Sequence, residues 1–304
     1  MHGLVGKGTK TYLRHVFTNE KIKHDVNLKQ SSKHEGNGTL TSKIHQFLTS
    51  KHLSQDKLCV LQIMQEHFMN VKSGNANGMM YTAPILLITG SPGTGKSWLI
   101  KTITELAEIM DLDIPIKTAF MGIAALNIDG CAMNIFLDVP LEMNEGNGTS
   151  TKVKPWDADR LQAFKQKYNV DNISAIIIDE ISMVKAWMLA YLDEWLKEAK
   201  QNYNKPFGGV AVLMLGDFDQ QPPIGGSSLP HLVVQFLQQE YQLKHNIFYT
   251  KLSKQQTIEL HSTSCQSGVK LFETAGHLNL STQYCCTNNS EHMTNLKKMN
   301  TVSS

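Results

Sequence analysis

Long apolar runs are missing from this sequence of 304 residues, and no stretch approaches the roughly 20 apolar residues that a membrane-spanning helix needs. The first residues, Met1 to Leu4, also lack the apolar core of a signal peptide. These two absences argue against a membrane protein and against secretion. We therefore expect an intracellular protein with no membrane partner.

Charge and cysteine spacing point to no particular partner. Lysine and arginine number 29 against 27 aspartate and glutamate, and a net charge of +2 does not by itself indicate nucleic-acid binding. The five cysteines are an odd number without metal-ligand spacing, so we expect reduced thiols. With 41% hydrophobic residues, the chain has room for one large domain or two modest ones.

The strongest pattern in the chain is Gly-Ser-Pro-Gly-Thr-Gly-Lys-Ser at residues 90–97. An apolar run at residues 85–88 precedes it and predicts a buried strand, and apolar residues at three-to-four spacing follow it and predict a helix. A strand, a glycine-rich turn, Lys-Ser and a helix in this order indicate a phosphate-binding loop. The pattern therefore predicts a site for a nucleoside triphosphate.

The residue types in this loop predict what each position does. Glycines allow successive backbone N–H groups to converge on one anion, and the start of the helix adds a partial positive charge. Lys96 is expected to reach the β- and γ-phosphates, and the Ser97 hydroxyl to hold Mg²⁺. The expected nucleotide-binding residues are Gly90, Gly93, Thr94, Gly95, Lys96 and Ser97.

A second strong signal is the apolar run at residues 175–178, which ends in Asp179 and Glu180. Such a run is typical of a parallel strand buried on both faces, and doubly wound sheets bind ligands at the carboxyl ends of their strands. We expect Asp179 to hold Mg²⁺ from its second coordination shell. Glu180 is expected to orient and deprotonate the attacking water.

Two further segments have a less specific pattern. Residues 210–215 predict a strand that ends before Gln220, and this glutamine is either a γ-phosphate ligand or a solvated amide in a proline-terminated turn. Residues 114–119 predict another strand, followed by a helix over residues 122–128. The small residues that open this helix favour close packing over close approach of a ligand.

The first 50 residues are polar and rich in lysine and histidine. We expect residues 1–50 to form a poorly ordered, solvated basic arm, with contact to a phosphate backbone as the alternative. The patterns after it predict an α/β fold with a mainly parallel sheet flanked by helices.

Four blocks resemble the petite-integration-frequency (PIF) type of superfamily-one DNA helicase, including its relatives in Helitron transposons. The blocks are residues 90–97, 118–130, 178–183 and 206–223. The resemblance spans roughly residues 53–224 and implies a RecA-like P-loop ATPase domain over residues 51–228. It also implies that residues 229–304 are the degenerate or truncated start of a second RecA-like domain.

The resemblance implies ATP with Mg²⁺ and 5′-to-3′ movement along single-stranded DNA. It also implies roles in DNA repair, recombination and telomere maintenance, and hence a nuclear location. By matching position, Thr118 and Gly122 would contact the DNA backbone. Asn134, in place of a family histidine, is a third expected DNA contact, and Gln220 becomes the expected γ-phosphate sensor.

The chain also departs from the pattern of this family. Lys57 stands where the family has a glutamine that reads adenine, and Cys285 where it has an arginine directed at the γ-phosphate. Arginine fingers contribute about 10³- to 10⁵-fold in turnover. Two functions therefore stay open: one motor half of a helicase, with a partner supplying the second motor domain, or a remnant that binds ATP-Mg with little turnover and no unwinding.

Overall fold

The computed structural model describes residues 38–51, 53–74, 81–139, 158–220, 223, 227–235 and 263–282. At its centre lies a six-stranded sheet in the order β3-β2-β4-β5-β1-β6, and every pair of neighbouring strands is parallel. The strands are β1 Ile85–Gly90, β2 Ile116–Ala119, β3 Cys131–Ala132, β4 Ala175–Asp179, β5 Ala211–Gly216 and β6 Gly276–Leu280. The expected α/β fold with a parallel sheet is confirmed.

Helices cover both faces of this sheet. They are α1 Gly38–Ser50, α2 Gln55–Lys72, α3 Lys96–Ile109, α4 Gly122–Asn127, α5 Met133–Leu137, α6 Ala158–Tyr168, α7 Ala186–Lys200 and α8 Thr263–Glu273. Short 3₁₀ turns lie at Val170–Asn172, Ile181–Met183 and Pro206–Gly209, and residues 229–235 are also helical. Within the described part of the chain, no helix is both long and apolar enough to cross a membrane.

Two apolar cores form because side chains alternate between the faces of each strand. On one face, Leu86 and Ile88 of β1 pack with buried residues of α2 and α3. On the other, Ile176 and Ile178 of β4 pack with buried residues of α7 and α8. The continuous apolar runs of β1, β4 and β5 follow from this burial on both faces.

The end of the described chain belongs to the same sheet. Strand β6 pairs with β1 from Leu86↔Gly276 to Gly90↔Leu280, and α8 packs on α7. The boundary expected at residue 228, with a second domain after it, is therefore wrong for residues 263–280. The signal of β6 was weak because His277 and Asn279 interrupt its apolar residues at an edge of the sheet. Residues 236–262 and 283–304, Cys285 included, lie outside the described residues.

The start of the described chain also differs from expectation. Residues 38–50, expected within a poorly ordered arm, form α1, and Ile44 in its middle is 1% exposed. Just beyond the helix, Lys51 Nζ lies 2.5 Å from Glu105 Oε2 of α3. The helix is stable here because α3 supplies the surface that buries its apolar stripe, which is a tertiary effect. Residues 1–37 of the expected arm lie outside the described residues.

Close packing of α8 on α7 depends on Gly268. A Cβ at this position would lie far inside van der Waals contact with the backbone carbonyl of Ala186, which no side-chain rotation relieves. We expect Gly268→Ala to lower the free energy of unfolding by about 1–3 kcal/mol, the usual cost of overpacking. Urea denaturation measures this. Gly122→Ala is the matched control, because a Cβ there meets no atom within 4 Å; equal losses in both variants would contradict the packing argument.

A buried histidine ties α2 to the sheet. His67 is 2% exposed, its Nε2 lies 2.8 Å from the carbonyl oxygen of Ser174, and its Nδ1 lies 2.7 Å from the Tyr81 hydroxyl. A carbonyl only accepts, so Nε2 carries the proton and Nδ1 accepts from Tyr81. Burial lowers the pKa of His67 below its ordinary 6.5, because the charged form is poorly solvated inside the protein.

This lowered pKa predicts a loss of stability in mild acid. The unfolded chain takes up a proton at residue 67 as the pH falls through 6.5, while the folded chain resists it, so folding weakens by at most about 1.4 kcal/mol per pH unit. Urea midpoints between pH 7.5 and 5.5 measure the slope. His67→Gln should flatten it, and His45→Gln, at an exposed position of α1, is the control for replacing a histidine. An unchanged slope in His67→Gln would refute the assignment.

Candidate nucleotide-binding site

The carboxyl ends of three adjacent strands bring the predicted site residues together. In the parallel register Thr89 of β1 lies beside Gly216 of β5, and Ile178 of β4 lies beside Met214 of β5. The phosphate loop follows β1, the two acids end and follow β4, and the turn with Gln220 follows β5. Parallel strands that end at one edge therefore place segments far apart in sequence at one site, as doubly wound sheets do.

The phosphate loop has the backbone that its glycines predict. Gly93 and Gly95 have φ values of +83° and +86°, in the left-handed region where a side chain is strained. Helix α3 begins directly after them at Lys96. Lys96 Nζ donates to the carbonyl oxygens of Gly90 and Ser91, at 2.5 and 3.4 Å. Its ammonium group is thus held against the first residues of the loop.

Thr94 shapes the loop from inside. It is 2% exposed, and its hydroxyl donates to the carbonyl oxygen of Ser91 at 2.8 Å. The same hydroxyl would lie 2.6 Å from a Cβ on Gly90, so the loop closes only with glycine there. The Thr94 hydroxyl is thus already used in a hydrogen bond within the loop. Its expected contact with the nucleotide stays a prediction.

The two acids are partly shielded from water. Asp179 is 7% exposed and its Oδ1 accepts the N–H of Glu180 at 3.0 Å; Glu180 itself is half-buried with φ at +52°. Burial raises the pKa of both carboxyl groups. Asp179 raises the pKa of Glu180 further, while the charge of Lys96 opposes the rise at both acids. Lys96 and the two carboxylates therefore act on one another electrostatically.

The residues at this edge fit a magnesium ion. Ser97 is exposed on the first turn of α3, and Asp179 offers a carboxylate whose charged form lacks solvation. Hydroxyl and carboxylate oxygens are the ligands that Mg²⁺ takes, and it usually keeps several waters and binds substrate phosphates. Among the described residues, no group of three or more His, Cys, Asp or Glu could hold a metal alone.

Gln220 lies in a turn that Asp217 organises. Asp217 Oδ1 accepts the N–H of Asp219 at 2.9 Å, and the Asp217 carbonyl accepts the N–H of Gln220 at 3.1 Å. Gln220 is exposed at the end of this turn. Reasoning from the sequence assigned no role to Asp217, although its place directly after an apolar strand is the same signal that indicated Asp179.

The three expected DNA contacts lie in different environments. Thr118 is fully buried in β2 between β3 and β4, so its side chain has no surface open to DNA, and its expected contact with the DNA backbone stays a prediction. Gly122 is exposed at the start of α4, with open space beside it. Asn134 is half-buried on α5. Contacts of Gly122 and Asn134 with DNA remain predictions.

Lys57 is buried near the same end of the sheet. It is 1% exposed, with Nζ 3.4 Å from the Ser54 hydroxyl. Its neighbour Asp56 accepts the N–H of Ser281 at 2.8 Å, which joins the start of α2 to the end of β6. A side chain buried in this way offers little surface to a nucleotide base.

The fold and the loop together define a P-loop nucleotide-binding protein of the α/β class. A family model described as a PIF1-like helicase matches residues 65–274, which is more than two thirds of the chain. The chain belongs to the PIF1-like helicase family, whose curated members in this comparison are ATP-dependent DNA helicases.

Curated relatives match over part of their length. The ATP-dependent DNA helicase PIF1 of Saccharomyces cerevisiae is 33% identical over 46% of this chain and 15% of its own. The ATP-dependent DNA helicase PIF5 of Trypanosoma brucei brucei is 36% identical over 48% of this chain and 15% of its own length. The ATP-dependent DNA helicase RRM3 of Saccharomyces cerevisiae is 30% identical over 69% of this chain and 27% of its own length. The chain thus spans about a quarter or less of the length of these relatives.

Solved structures of similar proteins include a Pif1 helicase from Bacteroides in complex with ADP-AlF3 and single-stranded DNA. It is 20% identical, with a TM-score of 0.46, over 77% of this chain and 46% of that one. The Pif1 helicase from Candida albicans is 24% identical, with a TM-score of 0.47, over 82% and 44%.

Proposed function

We propose that this chain is an ATP-hydrolysing motor domain of a PIF-type DNA helicase, in which hydrolysis of ATP-Mg drives 5′-to-3′ movement on single-stranded DNA. The observation that carries the proposal is geometric: β1 and β4 both pair in parallel with β5, so the phosphate loop after β1 and the acids at the end of β4 lie at one edge of the sheet. Membership of the PIF1-like helicase family supports DNA as the partner. An intracellular, nuclear location belongs to the same proposal.

In this proposal each group at the edge of the sheet has one task. The loop N–H groups and the Lys96 ammonium bind the β- and γ-phosphates and neutralise charge as it develops. Ser97 and Asp179 hold Mg²⁺, which when bound supplies further charge neutralisation. Glu180 orients a water molecule and accepts its proton, and its raised pKa makes it a stronger base than an ordinary glutamate. Gln220 hydrogen-bonds the γ-phosphate.

Single-stranded DNA would pass near the start of α4 and α5 in this proposal. Gly122 is exposed there and leaves room for a backbone to approach closely, and Asn134 offers an amide on the neighbouring helix. Contacts with phosphates release bound cations, so affinity for DNA should fall steeply as salt rises.

A second candidate is a nucleotide-binding module that binds ATP-Mg but turns it over slowly. The observation that favours it is Cys285, which stands where the family resemblance places an arginine. The loss of an arginine finger costs about 10³- to 10⁵-fold in turnover. A partner that supplies a second motor domain with its own arginine would restore the cycle.

Steady-state ATP turnover with and without single-stranded DNA separates the two candidates. A motor domain is expected to hydrolyse ATP faster when DNA is added, whereas a binding module shows affinity for ATP without such stimulation. Tight binding of ATP with turnover that DNA leaves unchanged would contradict the motor domain and favour the binding module.

A further inference from the structure

The turn after β5 packs against the turn that carries Glu180, the general base of the proposed reaction. Gly216 is the last residue of β5, and a Cβ on it would lie 2.9 Å from Ile181 Cγ2 and 3.0 Å from the Ile181 backbone nitrogen. The backbone just before Asp217 is therefore in contact with the residue just after Glu180. Only glycine permits this approach, because a side chain would separate the two turns.

The turn is also fixed at its other side. Phe218 lies edge-on to Phe272 of α8, with ring centroids 5.8 Å apart, and packs against the core beneath α7. These contacts hold the Phe218 side chain against the core, on the buried side of the turn. Of the residues from Asp217 to Gln220, only Asp219 and Gln220 are exposed.

Within the turn, the Asp217 carboxylate accepts a hydrogen bond from the backbone and so closes the turn. Asp217 Oδ1 accepts the N–H of Asp219 at 2.9 Å, and the Asp217 carbonyl accepts the N–H of Gln220 at 3.1 Å. A side-chain oxygen that bonds the backbone two residues ahead is an Asx turn, which fixes the direction of the chain that follows. The direction of Gln220 thus depends on the Asp217 side chain.

The Asp217 carboxylate also lies within electrostatic reach of the acids. It contributes to the raised pKa of Glu180, together with burial and Asp179, against the opposing charge of Lys96. The close approach of Gly216 to Ile181 places the turn beside these acids.

We propose that Asp217 is a positioning residue: its side chain closes the turn that presents Gln220 to the γ-phosphate, beside Glu180. This inference rests on the proposed function, since it takes Gln220 as the γ-phosphate ligand. Its consequence is specific, because loss of Asp217 should weaken recognition of the third phosphate while binding of a diphosphate stays intact.

The test compares the affinities of the full chain for a non-hydrolysable ATP analogue and for ADP, by calorimetry with Mg²⁺ present. The parent is expected to prefer the analogue. Asp217→Ala and Gln220→Ala should each reduce that preference by about tenfold, the effect of one hydrogen bond to a charged group, with ADP affinity unchanged. Asp217→Asn keeps the acceptor oxygen and should retain most of the preference.

A double variant shows whether the two residues act as one unit. If Asp217 works through Gln220, then Asp217→Ala with Gln220→Ala should lose no more preference than either change alone. Additive losses would overturn the proposal, as would a full preference in Asp217→Ala or an Asn variant as impaired as the Ala variant. Should Asp217→Ala fail to fold, Asp217→Leu, similar in size but without an acceptor, takes its place in every comparison.

A control variant and one further outcome separate this proposal from the proposed function. Asp113 lies in the loop before β2, at the opposite end of the sheet from the phosphate loop, and accepts a hydrogen bond from Asn169. Asp113→Ala should therefore leave the nucleotide preference unchanged. An effect of Gln220→Ala without an effect of Asp217→Ala refutes the positioning role alone. If Gln220→Ala changes nothing, the γ-phosphate role of Gln220 fails, and the positioning role fails with it.

Discussion

Replacing Lys96 by alanine is expected to abolish measurable ATP binding. The ammonium group lies at the start of the phosphate loop, 2.5 Å from the Gly90 carbonyl oxygen. Lys96 is the only cationic side chain in residues 90–97, so its loss removes the one positive side chain that the loop offers to the phosphates. Charge-assisted bonds to two phosphates, lost together, should lower affinity by about 100-fold or more. Calorimetric titration with ATP-Mg measures the loss.

Lys101→Ala is the matched control for this change. Lys101 lies one turn further along α3, is exposed and carries the same charge, so its removal alters the net charge equally without touching the loop. Its affinity for ATP should stay at the parental level. Unchanged affinity in the Lys96 variant would remove the assignment of residues 90–97 as the nucleotide site.

Replacing Glu180 by glutamine is expected to spare ATP binding and to suppress hydrolysis. Glutamine keeps the size of the side chain but cannot accept the proton of the attacking water. General-base catalysis contributes about 10²- to 10⁴-fold, so single-turnover rates should fall by that factor while the dissociation constant of ATP stays within the parental range. Glu180 is chosen over Asp179 as the base because it is half-buried and open to a water molecule, whereas Asp179 is 7% exposed and its Oδ1 already accepts the N–H of Glu180.

Glu194→Gln tests whether loss of a carboxylate alone matters. Glu194 is exposed on α7, away from the edge of the sheet where the phosphate loop lies. Its turnover should match that of the parent. A Glu180 variant that hydrolyses ATP at the parental rate would contradict the general-base role.

Most of the site could be predicted because its parts are local in sequence. The phosphate loop is eight residues with a strand before it and a helix after it, and β4 is an apolar run that ends in its acids. Such patterns need no knowledge of distant neighbours, since burial on both faces of a parallel strand is visible in the strand itself. The burial of Thr118 was not predictable in this way, because it depends on β3, which has two residues.

Other features depended on contacts between distant segments. Strand β6 joins β1 across roughly 190 residues of chain, and nothing in residues 276–280 indicates that partner. Helix α1 has an ordinary apolar stripe at three-to-four spacing (Leu40, Ile44, Phe47 and Leu48), which the sequence did show. That α3 and the core beneath it cover this stripe depends on tertiary contacts. The positioning role proposed for Asp217 rests on the approach of Gly216 to Ile181, a contact between distant segments that no sequence pattern indicates.

The amino-acid sequence by itself determined the chemistry of this protein: a phosphate loop, an acid pair and the family to which they belong. The tertiary structure alone decided which side chains stay accessible, which strands complete the sheet, and which turn stands beside Glu180. The physical reason is that a phosphate loop binds its ligand through the backbone conformations and side chains of consecutive residues, which the sequence shows directly. Burial and proximity arise only when a parallel sheet brings strands from distant parts of the chain to one edge.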